Sequence, residues 1–186
     1  NEKLDGLLRD ADIFVQGYRP GAIAKHGFGP EEVATKRPGI IYVNLSAYGH
    51  VGPWSTWRGF DSLVQSATGI VQEGMIESGT NKPCPLPCQA LDHATGYLAA
   101  FGAMIALKRR LEEGGSWMVR VSLAHTGKWF NDLGRVEGLK TKKPARVEIS
   151  DLLEKHDSPF GVIEHVRPPE NFSETQPYWS TGSVPL

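Results

Sequence analysis

Short apolar runs of strand length, separated by stretches with helical spacing, limit the fold of this chain more than any other feature. Ile13-Phe14-Val15 and Ile40-Ile41-Tyr42-Val43-Asn44-Leu45 are near-continuous apolar segments, the pattern of strands covered on both faces. Val119, Val121 and Leu123 alternate and read as a third strand. Between the first two, Pro30-Glu31-Glu32 places proline at a first helical position with acids in the first turn, which marks a helix start. Between the second and third, Phe60, Leu63, Val64, Ala67 and Ile70 predict an amphipathic helix over 59–71, and residues 72–91 read as a loop. A long helix then opens near Asp92 and runs to Glu112-Glu113-Gly114-Gly115, with Tyr97, Phe101 and Ile105 on one stripe. Strand–helix–strand order at these lengths implies the α/β class, a Rossmann-like parallel sheet flanked by helices.

The 186 residues are 40% hydrophobic, enough for one core. A net charge of −1 without a basic stripe argues against nucleic acid as a partner. No apolar run approaches the ~20 residues of a membrane span, so no membrane is expected either. The chain opens on no charged-then-apolar secretory leader. Cys84 and Cys88 flank Pro-Leu-Pro without a second pair, so reduced thiols and a cytoplasmic location are expected. The six histidines show no metal-ligand spacing, and no metal is expected.

Three regions follow from composition. Residues 1–136 carry the α/β pattern. Within them, Leu4, Leu7 and Leu8 sit at helical spacing with no Met before them, so the chain reads as starting inside a helix of a longer polypeptide. Residues 137–158 read as a linker, basic and exposed through Lys140, Lys142, Lys143 and Arg146, with a helical turn or two from Asp151 to Lys155. Residues 159–186 are rich in Pro, Ser and Thr with isolated Phe160, Phe172, Tyr178 and Trp179, the composition of an extended C-terminal tail.

Ligands of open α/β sheets bind beyond the carboxyl ends of the strands. Gln16 to Gly21 and the glycine-rich stretch Ser46 to Pro53 fall there by position. Asp92, at the expected N-terminus of the long helix, would accept backbone N–H bonds at the positive end of the helix dipole, both of which favour the ionised carboxylate. From the residues alone, Asp92 is either a nucleophile facing a cleft or a helix cap.

Several ordered blocks carry a more specific signal. The segment Asp12 to Phe28 with its Arg19-Pro20-Gly21, the segment Pro38 to Pro53, Gly59-Phe60-Asp61, and Asp92-His93-Ala94-Thr95-Gly96 with Ala106-Leu107-Lys108-Arg109-Arg110 and Gly114-Gly115-Ser116 together resemble the family III CoA-transferases, the CaiB/BaiF group. Phe160-Gly161 to Pro185-Leu186 is similar to that family's closing segment. The resemblance implies that Asp92 attacks the thioester carbonyl of an acyl-CoA to give a mixed anhydride. The released thiolate then forms an aspartyl-CoA thioester, and an incoming carboxylate takes the CoA through a second anhydride. Coenzyme A thus enters as acyl-CoA substrate. Gln16, Gly17, Tyr18, Lys25 and His26 align with the family's CoA-contacting turn, Tyr18 as an adenine-stacking ring and Lys25 as a phosphate contact, and Tyr48 would line the pantetheine channel.

The family's interlocked dimers imply a homodimer, or a complementary chain, as partner. Its leading strand and helix, its small domain and a later glycine-rich loop have no counterpart in this sequence, which leaves a non-catalytic CoA-binding or assembly subunit as the alternative. A third reading, an acyl-CoA racemase, lacks its base, because Phe60 stands where the related racemases carry a histidine and cannot abstract a proton.

Overall fold

The computed structural model describes residues 2–136 and 144–179, which divide into two compact units, Asn1–Arg135 and Val136–Leu186. In the first unit, β1 (Ile13–Gln16), β2 (Ile41–Ser46) and β3 (Trp117–Ser122) form a parallel sheet in the order β1-β2-β3. The central strand takes the most apolar run, and its Ile41, Tyr42, Val43 and Asn44 are all buried.

Each face of the sheet has its own cluster. Phe14 and Tyr42 pack with Leu8, Phe28, Val33 and Ile40 under α1 (Glu2–Leu8) and α2 (Pro30–Lys36), and the Tyr42 hydroxyl donates to the Phe28 carbonyl at 3.0 Å. Pro30 opens α2 after Gly29, as its sequence position predicts. On the other face, Ile41 and Val43 are covered by Ala103 and Ala106 of α5 (Ala90–Glu113).

Small residues govern that second contact. A Cβ at Gly102 would lie 2.6 Å from Val119 Cγ1, so the helix reaches its position only because the side chain is absent. The stripe of larger side chains lies away from this contact. Ala99, Ala103, Ala106 and Leu107 face the sheet, whereas Tyr97, Phe101 and Ile105 are exposed. By length and composition alone α5 is also long and apolar enough to cross a membrane, contrary to the count of apolar runs in the sequence. Its small-residue side nevertheless packs along β2 and β3, the placement of a helix that covers a sheet.

The helix expected over 59–71 is two helices, α3 (Asp61–Ala67) and α4 (Ile70–Ser78). Gly69 divides them at φ +90°, a left-handed conformation that no continuous helix accommodates. Residues 72–78 are therefore helical rather than loop. Leu123 does not close β3 but opens α6 (Leu123–Asp132), where the Ser122 hydroxyl caps the helix by accepting from the His125 amide. Val64, Ile70, Leu91 and Leu123 make a third cluster that joins α3, α4, α5 and α6.

The second unit contains a 3-10 turn, Arg146–Leu152, and an antiparallel hairpin of β4 (Leu153–Ser158) and β5 (Gly161–Val166). Strands thus occupy part of the expected linker and of the expected extended tail. Of the helical turn foreseen from Asp151 to Lys155, Asp151 and Leu152 close the 3-10 turn, whereas Leu153 to Lys155 belong to β4, whose backbone partners come from cross-strand pairing with residues 161–166. Arg146 pairs with Glu164, whereas Lys140, Lys142 and Lys143 lie outside the described residues.

Candidate active site

The chain enters α5 at the carboxyl edge of the sheet. The helix runs back along the strands to the turn at Gly114-Gly115 before β3, so its N-terminus lies at the edge where ligands bind in parallel sheets. Asp92 is the third residue of α5, behind a Gln89 N-cap whose side chain makes no capping bond. It is not the cap. That role belongs to Asp61, the first residue of α3, whose buried carboxylate accepts from the amides of Leu91 at 2.8 Å and Asp92 at 3.0 Å.

Asp61 is in turn held by Gln65 one helical turn later, whose Nε2 donates to Asp61 Oδ1 and also reaches the Cys88 carbonyl at 3.4 Å. Gln65 Oε1 accepts from the Leu86 amide at 2.8 Å. Two buried side chains on one short helix therefore fix both the proline-rich loop and the foot of α5. The hydroxyls of Thr95 and Thr126, 2.7 Å apart and buried, join α5 to α6. Asp92 is thus an exposed carboxylate on a rigidly held turn.

This arrangement changes the electrostatics expected from the sequence. The amides of Leu91 and Asp92 are already neutralised by the Asp61 carboxylate, so Asp92 meets a fellow anion rather than bare donors. Partial desolvation, and then the Asp61 charge, push the Asp92 carboxyl above its ordinary value, with His93 acting in the opposite direction. A more basic carboxylate is a stronger nucleophile. The opening turn of α5 has no amide left for an oxyanion, since Ala90 N donates to the Cys88 carbonyl at 2.8 Å and His93 N to the Gln89 carbonyl at 3.1 Å.

The other sequence-predicted residues divide between the two faces of the sheet. Tyr48 packs against the cluster containing Leu91, the neighbour of Asp92, and sets its ring edge-on to Trp54 at 5.4 Å. Trp54 stacks on Trp57 at 5.2 Å, which gives the glycine-rich loop an aromatic wall. Gln16 is buried at the end of β1 with both polar atoms engaged: Nε2 donates to Asn44 Oδ1, and Oε1 accepts from the Tyr18 amide at 2.8 Å. It holds the turn through Gly17 to Tyr18, whose ring is 65% exposed. Lys25 and His26 are exposed on the 3-10 turn Ala24–His26, between Ile23 and Phe28, which pack on the sheet face opposite α5. The structure thus packs Tyr48 on the cluster that holds Leu91 and places Lys25 and His26 between residues of the cluster on the opposite sheet face.

Asp61 and Gln65 had no assigned role in the sequence. The available signal was an acid directly after Gly59-Phe60 with a glutamine at i+4, both on a helix of mostly apolar and small residues. Phe60 itself stands just outside α3 and is 76% exposed. His50, in the glycine-rich loop, keeps Nε2 buried without a hydrogen-bond partner among the described residues. Burial, and then Arg120, hold its imidazole below the usual value.

Residues 1–145 match the family model of CoA-transferase family III, and the chain belongs to that family. It is 36% identical over 125 residues to (R)-2-hydroxy-4-methylpentanoate CoA-transferase of Clostridioides difficile, an alignment covering 67% of this chain and 31% of the relative. Formyl-CoA:oxalate CoA-transferase of Streptomyces avermitilis is 27% identical over 184 residues, 99% of this chain and 42% of the relative. A crystallised protein from Mycobacterium tuberculosis superposes with a TM-score of 0.62 at 28% identity, covering 74% of this chain and 39% of that one. The chain spans less than half the length of these curated relatives.

Proposed function

We propose that this chain is a working part of a CoA-transferase that moves CoA from an acyl-CoA to a free carboxylic acid through a covalent intermediate on Asp92. The observation that carries the reading is the Asp61 carboxylate bound to the amides of Leu91 and Asp92, which holds Asp92 in place while partial desolvation, and then the Asp61 charge, raise its basicity. In the first step an Asp92 carboxylate oxygen attacks the thioester carbonyl, the tetrahedral intermediate collapses, and CoA leaves as thiolate. The thiolate attacks the Asp92 carbonyl of the mixed anhydride and expels the original acyl group as its carboxylate, leaving aspartyl-CoA. The acceptor carboxylate then attacks that thioester, and the thiolate returns to the new acyl carbonyl, which frees Asp92.

Oxyanion donors for these steps come from outside the opening turn of α5, whose amides are occupied. Tyr48 is assigned to the pantetheine channel. Gln16 and Gly17 are assigned to shaping the turn that presents Tyr18 to the adenine, and Lys25 and His26 to the phosphates. Oligomerisation belongs to the same reading: a second copy, or a complementary chain, would cover Tyr97, Phe101, Met104 and Leu111, which stand exposed along α5.

The test is CoA exchange between an acyl-CoA and an isotopically labelled free acid, measured for the wild type and Asp92→Ala. The reading expects labelled acyl-CoA from the wild type and none from the variant. Binding of acyl-CoA without exchange, equal in both proteins, would instead identify a CoA-binding or assembly subunit.

A further inference from the structure

The hairpin of the second unit carries a side-chain cluster that the proposed mechanism does not use. We infer that Glu154, His156 and His165 form a binding site for one divalent transition-metal ion of the zinc class. Glu154 and His165 are directly opposed across β4 and β5, and His156 lies on the same face two residues further along β4. The trio sits at the open end of the hairpin, away from the Ser158–Gly161 turn.

The distances match a coordination sphere. His156 Nε2 and His165 Nε2 each lie 3.5 Å from Glu154 Oε1, and the three ligand atoms all fall within 4.8 Å of one another. Ligand atoms bound to a tetrahedral zinc at ordinary bond lengths are about 3.4 Å apart. The two imidazoles are stacked at 5.1 Å with 7° between their planes, so their nitrogens are presented on one side of the ladder. His165 Nδ1 lies 2.9 Å from the Val166 carbonyl. Donation there fixes the tautomer and leaves the Nε2 lone pair facing Glu154, the outer arrangement that orients metal-bound histidines. All three side chains are half-buried, which permits entry of an ion while limiting competition from bulk water.

Two borderline imidazole nitrogens with one carboxylate oxygen suit zinc, cobalt and nickel rather than calcium or magnesium, which take all-oxygen sites. They leave a fourth position for water or an anion. A two-stranded hairpin is marginal on its own, and an ion joining β4 to β5 would clip its open end. The spacing in sequence conceals the site, because His156 and His165 are brought together only by the cross-strand register.

The test is titration of the full chain with Zn2+ by calorimetry, and with Co2+ by its visible d–d spectrum. The expected result is one ion per chain, with affinity lowered at least about tenfold in each of Glu154→Gln, His156→Ala and His165→Ala, no less than outer partners of metal sites cost. In the unsubstituted chain, Co2+ should shift or broaden the ring signals of His156 and His165 ahead of those of the other histidines. This second readout does not depend on how any variant folds. Asp92→Ala and the double variant Cys84→Ser/Cys88→Ser should bind as the wild type does, so the outcome is independent of the transferase reading. A thiolate-to-cobalt charge-transfer band, unchanged binding in the hairpin variants, or no binding would overturn the assignment.

Discussion

The foot of α5 and the open end of the β4–β5 hairpin each centre on a carboxylate, Asp61 in one and Glu154 in the other. Asp61 is buried and saturated: two backbone amides and the Gln65 side chain meet its oxygens. Glu154 is half-exposed and faces two imidazoles at 3.5 Å, at the outer limit of direct contact. A satisfied buried carboxylate organises the protein around itself, whereas one that faces lone-pair donors across a gap is suited to a ligand. The first holds Asp92 still; the second leaves room for an ion.

The largest expected effect sharpens this contrast. Asp61→Ala strips the acceptor from the Leu91 and Asp92 amides and from Gln65, and should lower stability by about 3 kcal/mol. For a chain of this size, that is a fall in Tm of roughly 6–12 °C, measured by thermal unfolding with circular dichroism. Gly102→Ala comes next. Its new methyl would lie 2.6 Å from Val119 Cγ1 across the helix–sheet contact, and chemical denaturation should show a loss of about 2 kcal/mol. Glu154→Ala, in metal-free buffer, should cost under about 1 kcal/mol, because its partners are solvent-accessible imidazoles. If Glu154→Ala were as damaging as Asp61→Ala, the contrast between the two carboxylates would fail.

The smallest effect is a pH dependence at Asp92. Its folded-state carboxyl is raised above the ordinary value of 3.8, so its contribution to stability is fully present below that value and is lost as pH rises through the raised folded one. Asp92→Asn should therefore raise Tm slightly at neutral pH and leave it unchanged in acid below that window. A variant less stable than the wild type at neutral pH would show that the Asp92 charge helps hold the fold.

Much of the first unit was legible in the sequence because its signals are local. The near-continuous apolar run at 40–45 could satisfy only a central strand, and Pro30 with its trailing acids marked the start of α2. Asp92 was placed correctly at the beginning of a long helix, and Tyr48 at the end of β2. What escaped depends on tertiary contact. The cap on α5 comes from a residue 31 positions earlier in the chain, which no window of helical periodicity contains. Helical spacing put Tyr97, Phe101 and Ile105 on one stripe without saying which way it faces, and the approach to the sheet is made by glycine and alanine, whose small size carries little hydropathy signal. The hairpin was hidden because β4 is polar after Leu153 and β5 sets Val162-Ile163 beside Glu164-His165, so neither strand alternates, and the two fall in segments whose composition reads as a linker and a tail.

The central claim is that Asp92 becomes acylated. The direct measurement is incubation of the protein with an acyl-CoA, quenching with hydroxylamine or borohydride, and peptide mapping by mass spectrometry. The account predicts a hydroxamate or a reduced side chain at Asp92, absent from Asp92→Ala and diminished in Asp61→Ala. Modification confined to another residue, or an unmodified Asp92 while acyl-CoA is being consumed, would contradict it.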